Sequence, residues 1–301
     1  MRYRRLGRTD ITVSALSLGT ASLGVDYGIA APGEFGRPSE ADAIRLVQAA
    51  VGRGVTLIDT APAYGDAERI VGLAAGRDPR VVVATKVNPD DRIQTSIESS
   101  LRALGRDSLD IIQIHNATRE MIIEGAITDA LLDVQRKGLV RWLGASVYGE
   151  DAALAVLRDG RYDVLQVAFN ALDQRMAREV LRKAEAADVG VIARSAFLKG
   201  ALTPKAPWLP DALAPLRDAA ARARDVLAGG SWDGLPPAAM RFCLSAPGIA
   251  SVLAGARTIA ELDAAVAAEA AGPLDADVMV KAAQLAMTDE RLLNPASWPV
   301  A

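Results

Sequence analysis

The chain is poor in the residues that form disulfides and metal sites. Among its 301 residues it has one cysteine, Cys243, and one histidine, His115. A single cysteine cannot form a disulfide within the chain, and one cysteine with one histidine cannot build a zinc cluster, so we expect no metal site. Cys243 stands in the apolar stretch RFCLSAPG, which favours a small buried side chain over a reactive thiol.

A strong net charge and long apolar runs are missing as well. The chain has 34 basic and 37 acidic residues, a net charge of -3, and no basic stripe that would neutralise the phosphates of a nucleic acid. Nowhere do about 18 apolar residues run unbroken, and no signal-peptide segment follows the basic N-terminus. We therefore expect a cytoplasmic protein that binds neither nucleic acid nor membrane.

Short runs rich in valine, isoleucine and leucine are abundant, and half of the residues are hydrophobic. The runs are continuous rather than alternating, which indicates strands buried on both faces. Most are followed by a helical pattern of apolar residues, and strand–helix alternation requires parallel pairing. The predicted strands are 16–20, 55–60, 81–85, 109–114, 141–146, 164–169, 189–194 and 250–255.

Eight strands that alternate with helices predict an α/β fold, the (β/α)8 TIM barrel, with residues 1–301 forming a single domain. The competing architecture is an open doubly wound sheet, but its Gly-x-Gly-x-x-Gly turn does not follow the first strand. The stretch RYRRLGRTDITVSA predicts a β-hairpin over the other end of the barrel. Ser39 is expected to cap the first helix, and Gly105 to end the helix after the third strand.

Two long insertions follow strand ends, a glycine-rich one at 21–40 and a proline-containing one at 195–215. Long loops at the carboxyl ends of barrel strands build the substrate pocket, so we expect both at the catalytic face. Six aromatic residues are candidates for lining that pocket: Tyr27, Phe35, Tyr148, Phe197, Trp208 and Trp298.

Polar residues stand at three neighbouring strand ends. Asp59 ends the second strand, Tyr64 follows it by five residues, Lys86 lies just past the third strand, and His115 just past the fourth. Each has an ordinary structural explanation when taken alone, such as a capping aspartate or a lysine reaching to water. Together they converge on one mouth of a barrel, where unpaired polar groups are costly, and this favours an active site.

The sequence resembles the aldo-keto reductases over nearly its whole length, through LGRTDITVSALSLGT, DTAPAYGDAERIVG, ATKV and DIIQIH. The resemblance implies a barrel that reduces a small-molecule carbonyl compound with a nicotinamide cofactor. Asp59, Tyr64, Lys86 and His115 fall on the family's catalytic positions. It implies that Tyr64 exchanges the proton, Lys86 stabilises the phenolate, Asp59 holds Lys86, and His115 orients the carbonyl oxygen or relays a proton.

The resemblance also implies a cofactor site. Ser146 and Gln166 match residues that contact the carboxamide, although Val147 replaces the usual asparagine. Ser195, Phe197 and Lys199 belong to a loop over the pyrophosphate.

Arg194 stands where many family members have an aromatic ring stacked on the nicotinamide. Its guanidinium can also stack, and its charge would then favour the reduced cofactor. The alternative is that Arg194 turns aside to pair with a carboxylate.

The segment from Gly255 holds the ribose end of the cofactor in the family and points to NADP, with NAD possible. Arg257 offers a cation for the 2′-phosphate, whereas Glu261 would repel it and suits a ribose hydroxyl. The alternative is a simple surface ion pair between the two. We expect use of both cofactors, with NADP modestly ahead.

Two other functions remain open. A Schiff-base aldolase would use Lys86 as a nucleophile without Tyr64. A regulatory barrel would bind the cofactor with little turnover, although all four catalytic positions are filled. The sequence does not distinguish among aldehydes, ketones and sugars as substrates, and it leaves the oligomeric state open.

Overall fold

Eight parallel strands close into a barrel in the computed structural model, which describes residues 1–32, 36–89 and 92–298. The strands in these residues are β1 (Tyr3–Arg5), β2 (Thr12–Ser14), β3 (Leu16–Gly19), β4 (Leu57–Asp59), β5 (Val82–Val87), β6 (Leu109–Ala117), β7 (Val140–Val147), β8 (Val164–Ala168), β9 (Gly190–Arg194) and β10 (Ile249–Gly255). Going round the barrel, the order is β10, β3, β4, β5, β6, β7, β8 and β9. The predicted (β/α)8 barrel is confirmed.

Helices surround the barrel and bury their apolar faces against its strands. They are α1 (Ala21–Gly24), α2 (Glu40–Gly52), α3 (Ala67–Ala75), α4 (Ile93–Leu104), α5 (Arg119–Glu124), α6 (Ala126–Arg136), α7 (Glu150–Asp159), α8 (Val180–Ala186), α9 (Ala214–Ala228), α10 (Leu235–Ser245), α11 (Ile259–Ala270), α12 (Ala276–Ala282) and α13 (Glu290–Leu293). Both predicted caps are confirmed. The Ser39 side chain accepts a hydrogen bond from the Asp42 backbone N–H, and Gly105 ends α4 in the left-handed conformation.

The predicted N-terminal hairpin is confirmed and closes one end of the barrel. Strands β1 and β2 pair antiparallel. Leu6, Ile11 and Val13 pack against inward-facing barrel residues such as Leu57 and Ile111. The hairpin therefore leaves the opposite end, where the strands finish, as the open mouth.

The predicted ends of two strands were wrong. Lys86 lies inside β5 and His115 inside β6, whereas the sequence suggested that both lie just past the strand ends. The reason is that the backbone pairing continues beyond the last apolar residue, with Lys86 opposite Gln113 on the next strand. These side chains point into the barrel mouth while their backbone still belongs to the sheet.

The two insertions follow β3 and β9, at the open mouth as predicted. The first contains the short helix α1, and Phe35 in it lies outside the described residues. The second contains three 3-10 turns, Leu198–Gly200, Ala206–Trp208 and Asp211–Leu213. In the described ranges, no helix is both long and apolar enough to cross a membrane. Cys243 is fully buried in α10, as expected.

Candidate active site

Two layers of inward-facing side chains lie between the N-terminal hairpin and the open mouth of the barrel. The lower layer is apolar and includes Leu57, Ala84, Ile111, Val164 and Ile192. Because strand residues two apart share a face, the next inward position on each of these strands forms a layer nearer the mouth. The side chains of that upper layer are Asp59, Lys86, Gln113, Gln166 and Arg194. The inward-facing side chains thus change from apolar to polar between two successive layers, and this boundary is the floor of the candidate site.

The centre of the polar layer is an ion pair between Lys86 and Asp59. Lys86 Nζ lies 2.6 Å from Asp59 Oδ2 and donates a second hydrogen bond, of 2.9 Å, to the Thr60 carbonyl. Both charged side chains are buried, with exposed fractions of 1% and 3%. Burial acts to lower the pKa of Lys86, but Asp59 and Tyr64 together outweigh it, and the net pKa is raised. Lys86 is therefore an ammonium at neutral pH.

Tyr64 is brought to this ion pair by the turn that follows β4. It ends the 3-10 turn Pro62–Tyr64, and its ring centroid lies 5.0 Å from Lys86 Nζ. Gly24 allows the turn to pack closely, because a Cβ there would lie 1.7 Å from the Tyr64 carbonyl oxygen. Burial raises the pKa of Tyr64, and the Lys86 charge opposes that shift without cancelling it. The phenol is thus protonated at neutral pH.

His115 faces Tyr64 from the other side. The two rings are perpendicular, with centroids 5.8 Å apart, and His115 Nδ1 lies 3.3 Å from Asn88 Oδ1. Burial, followed by the positive charge of Lys86, lowers the pKa of His115 to about 4. The imidazole is therefore neutral at neutral pH and suited to orient a carbonyl oxygen by hydrogen bonding.

Two glutamines hold the far oxygen of Asp59. Gln166 Nε2 lies 2.7 Å and Gln113 Nε2 lies 3.2 Å from Asp59 Oδ1. Gln113 was missed in the sequence, although a glutamine two residues before His115 in an apolar strand was a usable signal. Gln166 was expected at the cofactor carboxamide, and its amide contacts both Asp59 and the hydroxyl of Ser146, which donates to Gln166 Oε1 at 3.1 Å.

Arg194 stacks on the ring of Tyr148. Its guanidinium carbon lies 3.9 Å from the centroid of the Tyr148 ring. Two of its nitrogens donate hydrogen bonds, to Ser195 Oγ at 3.1 Å and to the Val147 carbonyl at 3.0 Å. Among the described residues, no carboxylate pairs with it. The positive charge of Arg194 acts to lower the pKa of both Tyr64 and His115. Arg194 therefore contributes a fixed positive charge to the mouth.

The loop after β9 has an unusual backbone at positions expected to contact the cofactor. Ser195, Leu198 and Lys199 have positive φ angles of 63°, 43° and 54°, which are uncommon outside glycine. Such conformations cluster at ligand-binding loops, where the surroundings fix them. Asn170 holds the loop by donating to the Ser195 carbonyl at 3.0 Å, and Phe197 is half-buried.

Arg257 and Glu261 contact each other beside Gly255, at the start of α11. Arg257 donates its backbone N–H to Glu261 Oε2 at 2.6 Å, and its guanidinium lies 3.4 Å from Oε1. Thr258 caps the helix by accepting from the Glu261 N–H. The Glu261 carboxylate therefore already accepts a hydrogen bond from a backbone N–H at this helix N-terminus. Helix N-termini also attract phosphate groups.

The remaining candidate aromatics divide by exposure. Trp298 is 6% exposed and its ring lies 5.9 Å from Lys199 Nζ, beside the loop after β9. Trp208 is 56% exposed. Tyr27 is 40% exposed. Over the ranges that the structure describes, no three histidine, cysteine or acidic residues are grouped to hold a metal.

Comparison with known proteins finds one family model, Aldo/keto reductase family, which matches residues 15–286. Aldo-keto reductase YhdN of Bacillus subtilis is 28% identical over 222 residues, 68% of this chain and 65% of that protein. L-galactose dehydrogenase of Arabidopsis thaliana is 28% identical over 291 residues, 89% of this chain and 88% of that protein. The holo structure of aldo-keto reductase AKR11C1 from Bacillus halodurans superposes with a TM-score of 0.78 at 26% identity, covering 95% and 97% of the two chains.

Proposed function

This chain belongs to the aldo/keto reductase family, and we propose that it reduces an aldehyde, ketone or sugar to an alcohol with Tyr64 as the general acid and an NADP cofactor, NAD being possible. The reverse oxidation would use Tyr64 as the base. Membership of the family makes the chain an oxidoreductase that uses a nicotinamide cofactor. The proton donor, the cofactor preference and the substrate are the parts that we propose.

The buried contact of Lys86 with Asp59, beside the ring of Tyr64, is the observation that carries the proposal. When bound, the cofactor supplies a hydride. Negative charge then develops on the carbonyl oxygen, and Tyr64, which is protonated because burial raises its pKa, donates its proton there. The phenolate left behind faces the Lys86 ammonium, which is held in place by Asp59. Neutral His115 orients the carbonyl oxygen.

Several groups on this chain suit the cofactor. Ser146 and Gln166 present a hydroxyl and an amide beside the ion pair. The positive-φ loop of Ser195 and Lys199 suits a pyrophosphate, because such backbone turns expose N–H groups and Lys199 adds positive charge. Arg257 and the N-terminus of α11 suit the ribose end, where Glu261 competes with a 2′-phosphate. We propose that both cofactors are used for this reason.

The rival functions have less support. A Schiff-base lysine must lose its proton to attack a carbonyl carbon, whereas Asp59 and Tyr64 together raise the pKa of Lys86 despite burial. A regulatory barrel would not need the proton donor, and Tyr64 stands beside Lys86 and His115. Trapping a substrate on Lys86 with borohydride would favour the aldolase, and cofactor binding without turnover would favour the regulatory barrel.

A sugar is our first candidate substrate, because a relative aligned over most of this chain is named L-galactose dehydrogenase. Small aldehydes and ketones remain in the proposal. We also propose that residues 1–301 work as one domain, supported by a core cluster that joins the barrel strands to the surrounding helices.

The test is a panel of aldoses, small aldehydes and ketones, each assayed for oxidation of NADPH and of NADH by the purified protein. Turnover with at least one carbonyl compound is expected. If no compound is reduced although both cofactors bind, the enzyme assignment is wrong and the regulatory alternative is favoured.

A further inference from the structure

We propose that Gln113 is a positioning residue for the proton donor, acting through Asp59 and Lys86; this inference rests on the proposed function. Gln113 Nε2 lies 3.2 Å from Asp59 Oδ1, and the other carboxylate oxygen receives Lys86 Nζ at 2.6 Å. Gln113 therefore contacts the carboxylate that holds the ammonium facing Tyr64. Asp59 and Lys86 lie between Gln113 and the phenol, and Gln113 does not touch the phenol itself.

The register of the barrel places Gln113 at this carboxylate. Gln113 pairs with Lys86 across β5 and β6, and with Gly144 across β6 and β7. A Cβ at position 144 would lie 3.1 Å from Gln113 Cγ, a tight contact, so the glycine leaves room for the glutamine side chain. The space beside Asp59 is thus shaped to hold the amide.

Packing alone does not account for an amide at this position. Gln113 is fully buried, and its Oε1 has no hydrogen-bond partner in the described part of the chain. Burying an amide with one unsatisfied atom destabilises a fold, and an apolar residue such as the neighbouring Ile111 would avoid that penalty. The one hydrogen bond that the amide makes goes to Asp59.

The amide groups of Gln113 and Gln166 hold the Asp59 carboxylate in place without adding a charge. With two amide donors on one carboxylate oxygen, the other oxygen is directed at Lys86. A carboxylate fixed in this way keeps Lys86 charged and in place. The phenolate of Tyr64 then meets an ammonium that does not need to reorient during the reaction.

The experiment compares two variants at the same position. Gln113→Met keeps the length of the side chain and removes the donor. Gln113→Glu keeps the shape, and its carboxyl can donate to Asp59 only while protonated. We measure the single-turnover rate of hydride transfer across the pH range, with cofactor dissociation constants and thermal unfolding midpoints. Ile111→Met, on the same strand and face but in the apolar layer, is the matched control.

The expected results separate positioning from packing. Gln113→Met should lose about tenfold in the hydride-transfer rate at every pH, the size of one hydrogen bond to a charged group, with unchanged cofactor binding. Gln113→Glu should approach the wild-type rate at low pH and fall as pH rises and its carboxyl ionises beside Asp59. The charged groups nearest position 113 are Asp59 and Lys86; the mouth above holds the charged Arg194 and the titratable Tyr64 and His115. Ile111→Met should keep the wild-type pH profile.

Two results would overturn the inference. One is a wild-type rate and pH profile in Gln113→Met. The other is a Gln113→Glu profile parallel to that of the wild type, because a purely structural glutamine gives no pH-dependent rescue. A wild-type protein that turns over no carbonyl compound would instead overturn the proposed function, and this inference with it.

Discussion

Lys86 Nζ and Asp59 Oδ2 lie 2.6 Å apart on neighbouring barrel strands, and the structure buries both groups almost completely. A buried ion pair contributes little net stability, because desolvation offsets most of the attraction. The position of the ion pair explains its presence better than stability does, since the Lys86 ammonium also lies 5.0 Å from the ring centroid of Tyr64. The pair fixes a positive charge where a phenolate would form.

Removing the hydroxyl of Tyr64 should abolish most of the reduction. Tyr64→Phe keeps the ring that packs against His115 and removes the proton. We expect kcat/KM for carbonyl reduction to fall by about a hundredfold or more, the usual contribution of a general acid, while the cofactor dissociation constant stays the same. Steady-state assays and fluorescence titration measure the two quantities. Near-normal turnover would reject Tyr64 as the proton donor.

Removing the charge of Lys86 should reduce both activity and stability. Lys86→Met leaves Asp59 buried without its cation, which costs about 3–5 kcal/mol in the free energy of unfolding. It also leaves the phenolate unstabilised, so we expect a loss of rate similar to that of Tyr64→Phe.

Urea unfolding measures the stability of this variant, and the pH dependence of the rate measures its effect on Tyr64. Asp59→Asn combined with Lys86→Met is the control, since it removes both charges and should recover part of the lost stability without restoring activity. An unchanged pH profile in Lys86→Met would show that Lys86 does not act on Tyr64.

Acid should destabilise the fold through His115. Its pKa is about 4 in the folded protein because of burial and the charge of Lys86, compared with about 6.5 in an unfolded chain. Between these values the unfolded state binds more protons, so the stability contribution is complete above about pH 6.5 and is lost as pH falls toward 4. His115→Asn should therefore lose less stability than the wild type between pH 7 and 4. Thermal midpoints that change in parallel for both proteins would contradict this.

The barrel could be predicted because its strands are buried on both faces and read as continuous apolar runs. Their ends were less certain, since an inward-facing charge such as Lys86 looks like the start of a loop although its backbone still pairs in β5. The pattern of apolar residues indicates which side chains are buried, but it does not indicate which backbone groups form hydrogen bonds in the sheet. For the same reason His115 was placed after β6 rather than in it.

The four catalytic candidates and the pairing of Lys86 with Asp59 were predicted from their positions and from the family resemblance, but other contacts in the site were not. The contact of Gln113 with Asp59 depends on the register between strands, which no local pattern reveals. The stacking of Arg194 on Tyr148 joins residues far apart in the chain. The sequence left the orientation of the Arg194 side chain open, because a guanidinium can stack on a ring or pair with a carboxylate. Which of these it does depends on the residues that surround it in the folded protein.

The fixed charge of Arg194 should make the site discriminate between oxidation states of the cofactor. Because the nicotinamide ring is positively charged only when oxidised, a nearby cation should weaken binding of that form. In Arg194→Gln we expect the ratio of dissociation constants for oxidised and reduced cofactor to fall by about tenfold. Calorimetric titration with both forms measures it. An unchanged ratio would mean that the guanidinium lies too far from the ring to act.

Cofactor preference should be weak, and Glu261 is the reason. A 2′-phosphate would gain from Arg257 and from the N-terminus of α11, but the Glu261 carboxylate already accepts the Arg257 backbone N–H and lies 3.4 Å from its guanidinium. Two anions cannot share these donors without repulsion, whereas a ribose hydroxyl can donate to the carboxylate. We therefore expect turnover with both NADPH and NADH, with NADPH modestly ahead.

Replacing Glu261 tests this balance directly. Glu261→Gln keeps the length of the side chain and its acceptor oxygen and removes the negative charge, so kcat/KM with NADPH should rise by about tenfold, while kcat/KM with NADH changes little. Asp263→Asn, two residues further along α11 and paired with Arg53, is the matched control and should leave the ratio unchanged. Comparing kcat/KM for both cofactors on one substrate decides the matter. A wild-type preference for NADPH beyond about a thousandfold, roughly 4 kcal/mol, would show that Glu261 does not oppose the phosphate.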